Sequence, residues 1–227
     1  MNKRNYQKEL EEIIDKNRAN NLKPKLLLHV CCAPCSSYCL SLLYKHFEII
    51  TDFYNPNIFP EEEFEKRAKE FERFVSELRQ DINKEINEIV CEADRIEPLI
   101  DVNISQYDPE SFFEMAKGLE NVPEGGERCF KCYRLRMEHA AKMAADLQAD
   151  YFTTTLSISP LKNAEKINEI GEELAEKYGV AHLPSDFKKK EGYKQSIELS
   201  HKYDLYRQNY CGCVYSRGET ETYEKLT

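Results

Sequence analysis

Short apolar runs alternate with segments of helical period along most of this chain, and that alternation leaves few architectures open. Leu26 to Val30 is a compact apolar run, the pattern of a buried strand. Ser36 to Phe47 follows with helical spacing, its apolar residues at 39, 40, 42, 43 and 47. Glu48 to Tyr54 reads as the next strand, and "NPNIFP" as a turn-rich loop. Glu61 to Leu78 is strongly amphipathic, with Phe64, Ala68, Phe71, Phe74, Val75 and Leu78 on one side. Residues 79–105 lack a clean period, and "NEIVCEAD" is the candidate third strand there. Helices are expected over Asp108–Leu119, Phe130–Ala149 and from Pro160 to about Tyr178, with a β-branched strand over Asp150–Ile158. Strands alternating with helices predict an α/β fold, a three-layer Rossmann-like domain with a parallel sheet covered on both faces. Ligands of such sheets bind beyond the carboxyl ends of the strands. Residues 1–24 read as a helix (Tyr6 to Lys16) and a polar linker, 25–215 as one α/β domain, and 216–227 as a tail.

The first strand runs straight into sulfur. "CCAPC" places Cys31, Cys32 and Cys35 at the strand-to-helix turn, where other α/β proteins carry a glycine-rich phosphate loop. "ERCFKCY" adds Cys129 and Cys132 at a loop-to-helix junction, and "YCGC" adds Cys211 and Cys213. Cys39, at a core-facing helical position, and Cys91, in mixed surroundings, read as packed small hydrophobes. The charged N-terminus does not resemble a secretory signal, and no apolar run approaches the roughly 20 residues of a membrane helix. The expected location is the cytoplasm, with no membrane partner. Disulfides there are mostly transient, so nine cysteines call for metal, redox chemistry or packing.

A helix N-terminus favours thiolate at Cys129 and Cys132. If the two groups converge at one end of the sheet, four thiolates can hold a [4Fe–4S] cluster or a structural zinc. Adjacent cysteines suit zinc knuckles poorly, which favours a cluster. Cys211 and Cys213, separated by one glycine, form a candidate redox disulfide or further ligands. His29 reads as a packed histidine. "TDFYNPNI" sets Asp52, Tyr54, Asn55 and Asn57 at the second strand end. "TTTLSISPLKN" sets Thr154, Thr155, Ser157, Ser159 and Lys162 at another, either an anion site or an ordinary capped turn. The net charge of −9 counts against holding nucleic acid by bulk charge. It leaves two local basic patches, "FKKKEGYK" and the arginines of "CYRLR", whose ordinary reading is a solvated face.

"LHVCCAPCS", "YNPNI", "ERCFKCYRLR", "TTTLSISPLK", "FKKKEGY" and "YRQNYCGC", in this order, resemble the epoxyqueuosine reductases of the QueH type, from about Leu26 to Val214. The resemblance implies a fold similar to the HUP and PP-loop domains. It implies reductive removal of the epoxide oxygen of epoxyqueuosine in a tRNA anticodon, without cobalamin. It further implies a [4Fe–4S] cluster on Cys31, Cys32, Cys129 and Cys132, with an additional mononuclear iron near Cys35. A redox role for Cys211 and Cys213 and an unidentified electron donor belong to the same expectation. Asp52, Tyr54 and Tyr133 are then candidate proton donors. Arg134, Arg136, Lys162, Lys188, Lys189, Lys190 and Arg207 are candidate tRNA contacts. Three rivals remain on the residues alone: an iron–sulfur or zinc tRNA thiolase of the PP-loop type, which lacks its glycine-rich loop here; a zinc-stabilised binding module; and a metal-free dithiol oxidoreductase.

Overall fold

The computed structural model describes residues 4–89 and 100–216. Five strands form one sheet in the order β3-β2-β1-β4-β5, every pair parallel. They are β1 (Lys25–His29), β2 (Glu48–Phe53), β3 (Ile100–Ile104), β4 (Tyr151–Thr154) and β5 (Ala181–His182). The helices are α1 (Tyr6–Ala19), α2 (Ala33–Leu43), α3 (Glu61–Ile89), α4 (Pro109–Ala116), α5 (Glu127–Asp146), α6 (Ala164–Tyr178) and α7 (Gly192–Lys202). This is the expected three-layer Rossmann-like architecture.

Strand residues alternate between faces, and β1 shows the consequence. Leu26, Leu28 and Val30 are fully buried in the larger core cluster, among side chains of α1, α2 and α3. Leu27 enters the opposite cluster with Met137, Ala140 and Ala144 of α5 and Ile167, Ile170 and Leu174 of α6. β1 is therefore apolar on both faces, as a central parallel strand requires. The stripe of α3 is buried as its spacing predicts, with Phe71, Phe74 and Val75 fully covered. Each such side chain contributes about 2–3 kcal/mol of burial. Leu10 brings α1 into the same core. Among the described residues no helix is long and apolar enough to cross a membrane.

Three boundaries differ from expectation. The α3 helix runs through Ile89, because Ile82, Ile86 and Ile89 keep helical spacing, so the start of "NEIVCEAD" is helical and its remainder lies outside the described residues. The third strand is Ile100–Ile104, a half-buried edge. The strand expected over Asp150–Ile158 stops at Thr154, whose hydroxyl accepts from Leu156 N–H at 3.1 Å and opens a short 3-10 turn over Thr155–Ile158.

Strand order reverses at β1, which feeds β2 on one side and borders β4 on the other. That switch point opens a crevice at the carboxyl ends of β1 and β4, and the first cysteine group stands in it.

Candidate metal centre

The β1 strand ends on His29, which is fully buried. Its Nε2 lies 3.1 Å from the Tyr54 carbonyl and its Nδ1 2.8 Å from Thr154 Oγ1. A carbonyl only accepts, so Nε2 carries the proton and Nδ1 accepts from the hydroxyl. Burial pushes the ring pKa down to about 3. His29 is the packed histidine its strand position predicts.

The chain then leaves the sheet. Cys32 is extended and occupies the N-cap of α2. Pro34 in the first turn has no N–H to leave unpaired, so the helix begins at Ala33, earlier than spacing alone suggests. This early start draws Cys35 back over the turn. The sulfurs of Cys31, Cys32 and Cys35 all lie within 4.8 Å of one another, and those of Cys31 and Cys32 are 4.0 Å apart. From the 3-10 turn after β4, Thr155 Oγ1 accepts from Cys31 N–H at 3.3 Å and donates to Cys31 Sγ at 3.5 Å. Hydrogen bonds from the Cys32 and Cys35 thiols hold Cys31 well below the ordinary thiol pKa, aided by Arg136 and Lys162. Cys32 is pushed up to about 12, chiefly by donating to Cys31.

These thiols face a cavity of about 360 Å³, whose walls also carry Arg67, Arg136, Lys162, Arg207 and Cys211. Two of the cations are almost fully buried. Arg67 is 2% exposed; it pairs with Glu63 at 2.7 Å and donates to the Cys211 carbonyl at 3.3 Å, while its Nη2 has no partner in the protein. Arg136 is 3% exposed; it donates to Asn55 Oδ1, and its Nε is likewise unpaired. Asn55 in turn donates to the Val30 carbonyl at 2.9 Å. One amide thus ties the residue before Cys31 to α5 one turn after Cys132.

The second cysteine group lies next door. Cys129, Cys132 and Cys213 line a smaller space with Tyr133 and Arg128, and this space shares Arg136, Lys162 and Cys211 with the first. Both groups therefore sit at the same sheet edge. Among the described residues, however, no fourth thiol joins the Cys31–Cys32–Cys35 trio within its 4.8 Å. The thiolate expectation for Cys129 and Cys132 is corrected. Burial raises Cys129 despite a 3.3 Å hydrogen bond from Gly125 N–H, and raises Cys132 to about 11. Cys211 and Cys213 are free thiols. Cys211 is held low by a hydrogen bond from Cys213 that outweighs burial, and Lys162 assists. Burial would lower Lys162 itself, but Cys211 and Cys31 raise it. Cys39 is buried in the core, with its thiol 3.4 Å from the Cys35 carbonyl.

Asp52 and Tyr54 are not brought to these cavities. Asp52 is fully buried and accepts from Ser105 at 2.7 Å, Asn103 at 3.1 Å and His139 at 2.9 Å. Burial would raise its carboxyl, but His139 and Ser105 hold it below the usual range. Tyr54 stacks on His139 at 3.9 Å and donates to Asp108 at 3.3 Å, and burial with Asp108 pushes its phenol up to about 12. Tyr54 and His139 border a separate cleft of about 530 Å³. Of the three candidate acids, only Tyr133 lies among the thiols.

The basic residues also divide. Arg134 pairs with Glu173 on the surface, and Arg136 is interior. Lys188, Lys189 and Lys190 line a cleft of about 890 Å³ that reaches Lys162, with Lys188 paired to Asp186 at 2.7 Å and Lys190 to Glu11 at 2.5 Å. Arg207 is exposed and donates to Ser200 Oγ at 3.0 Å. Thr154 and Ser157 turn their hydroxyls inward, to His29 and Ser185, as turn and packing groups.

A model of the family described as "Epoxyqueuosine reductase QueH" matches residues 26–219. The chain belongs to the QueH family. It is 42% identical to a Staphylococcus epidermidis protein named epoxyqueuosine reductase QueH, over 93% of this chain and 84% of that one. A Streptococcus pyogenes protein of the same name is 39% identical over 93% of this chain and 78% of that one. A Thermotoga maritima QueH is 34% identical over 84% of this chain and 89% of that one. The assignment makes this chain a reductase.

The donor set fits the iron–sulfur group that the resemblance implies. Thiolates are its ligands, and a buried anionic group would meet the unpaired guanidinium N–H groups of Arg67 and Arg136. Arg67 escaped the sequence reading, though its signal is visible. It interrupts the apolar stripe of α3 three residues after Phe64 and four before Phe71. His139 carried no local signal.

Proposed function

We propose that this chain reduces epoxyqueuosine in a tRNA anticodon to queuosine, with an iron–sulfur group as its redox centre. The observation that carries the reading is the trio of thiols within 4.8 Å, set at the sheet's switch point against buried cations. Cys31, Cys32, Cys129 and Cys132 would hold a [4Fe–4S] cluster, and Cys35 would face an adjacent mononuclear iron. Such a group supplies electrons singly together with a Lewis-acidic iron.

Converting an epoxide to an alkene consumes two electrons and two protons and releases water. Tyr133 and Lys162, both beside the thiols, are the groups placed to deliver protons or balance the developing negative charge. Asp52 and Tyr54 act at one remove, holding α5 through His139. Cys211 and Cys213 serve as a dithiol–disulfide pair that relays two electrons from an external donor. The tRNA approaches over Lys188–Lys190, Lys162 and Arg207, its phosphates held by these cations and, with Arg134, by the outer face of α5 and α6. Cytoplasmic residence accords with that substrate.

The test is iron, acid-labile sulfide and EPR on protein purified without oxygen. The expected result is about four or more irons with matching sulfide, lost in Cys32→Ala and Cys129→Ala. Stoichiometric zinc, or no metal after anaerobic reconstitution, would overturn the reductive mechanism.

A further inference from the structure

Two large apolar side chains that protein interiors usually claim stand exposed at the rim of the same cavity. Leu161 is 71% exposed and Tyr193 38%, and both line the 360 Å³ cavity that holds the cysteine trio. Single exposed apolar residues are ordinary, but two lining one cavity beside charged side chains point to a ligand surface.

Tyr193 is presented by an unusually constrained backbone. Lys190 and Glu191 are consecutive non-glycine residues in the left-handed region, with φ of 50° and 60°. Such strain survives only where surrounding structure enforces it, and it clusters at binding sites. Gly192 follows, packed so closely that a Cβ would lie 1.9 Å from the Phe187 carbonyl and 2.6 Å from the Tyr38 ring. The first turn of α7 is thereby clamped to the body, and it carries Tyr193 to the cavity wall. The Arg207 guanidinium lies 6.0 Å from the ring centre and is itself held by Ser196 and Ser200 of α7. A rigid aromatic face backed by a cation is the equipment that stacks an unpaired nucleobase.

We propose that Tyr193, backed by Arg207 and faced by Leu161, is the stacking platform that holds an unstacked base of a single-stranded RNA loop at the mouth of the thiol cavity. The proposal rests on the tRNA reading above and names the residue that selects a splayed loop over a duplex. Phosphate contacts by lysines would hold either form; the platform accepts only an exposed base face.

The chain contains no tryptophan, so Tyr193→Trp introduces a single fluorophore at the site. Binding of a synthetic anticodon stem-loop RNA is measured with the full-length protein. The expected result is quenching of the Tyr193→Trp emission by the stem-loop and not by a fully paired RNA of equal length. Tyr193→Ala is expected to weaken stem-loop affinity about ten-fold or more with an unchanged salt slope, while Tyr193→Phe retains it. An unquenched tryptophan at saturating stem-loop, or Tyr193→Ala within two-fold of wild type, would overturn the platform. If wild type then still reduces epoxyqueuosine-bearing tRNA, only the platform falls; if wild type neither binds nor reduces that tRNA, the functional reading falls with it.

Discussion

Asn55→Leu tests whether one amide keeps the two cysteine groups in register. Asn55 is 1% exposed, bonds Arg136 on one side and the Val30 carbonyl on the other, and joins segments 81 residues apart in sequence. Leucine has nearly the same volume but no polar atoms. The variant strips a buried guanidinium of its acceptor, at about 1.5–3 kcal/mol, and a buried carbonyl of its side-chain donor, at about 1–3 kcal/mol. Added apolar burial returns about 1 kcal/mol, leaving a net loss of about 3 kcal/mol. Urea unfolding, run with chelator throughout so that metal-linked stability does not enter, reads that loss as a midpoint drop of about 1 M. The double variant Asn55→Leu/Arg136→Met removes the stranded charge along with its acceptor, so it should recover at least half of the loss. A single variant within about 0.5 kcal/mol of wild type, or a strictly additive double variant, would refute the bridging role.

Two further outcomes follow from the site. With a folded pKa of about 3 against an ordinary value near 6.5, His29 is neutral in the fold and takes up a proton on unfolding below pH 6.5. Its stabilisation is present above that pH and falls as pH drops, by about 2 kcal/mol between pH 7 and pH 5; urea midpoints across that range should fall, and His29→Gln should flatten the decline. Cys39→Ala should lose about 1 kcal/mol of stability and keep full metal content, whereas Cys32→Ala should lose metal at little cost in the unfolding of the chelated protein; equal metal loss in both would place Cys39 at the centre.

The layered fold and the cysteine pairs were legible because both follow from local rules. Apolar runs of strand length between helical stripes can close only as a covered parallel sheet, and "CCAPC" at a strand end falls at the binding edge wherever the strand lies in that sheet. What failed locally failed for identifiable reasons. Ile82, Ile86 and Ile89 carry the α3 period into the start of the segment read as a strand, and Ile100–Ile104 is a half-buried edge whose alternation is short. Thr154 ended its strand by capping the following turn. Burial overrode the helix-terminus rule at Cys129 and Cys132. The removal of Asp52 and Tyr54 from the thiol cavity was out of reach, since β2 directs them toward His139, a partner 87 residues from Asp52 with no pattern marking it.

The acidity of the chain, which seemed to argue against a nucleic-acid substrate, is resolved by where the charges lie. Among the described residues, acidic side chains stand on outer helix faces, as Glu61 and Glu62 do at the opening of α3. The thiol cavity has the opposite sign, with Arg67, Arg136, Lys162 and Arg207 on its walls against Glu124. Two of those cations are buried with unpaired N–H groups, a costly arrangement unless an anion completes it. Cations so placed draw Cys31 and Cys211 toward thiolate without an excess of basic residues on the surface. On the proposed reading, an RNA would meet repulsion from the acidic helix faces and attraction at the cavity mouth and the adjoining lysine cleft, so electrostatics would favour insertion of a loop over non-specific coating of the protein. Raising salt should therefore weaken the correct complex modestly while leaving its preference for a loop over a duplex in place, because that preference rests on an exposed base face rather than on the number of phosphates neutralised.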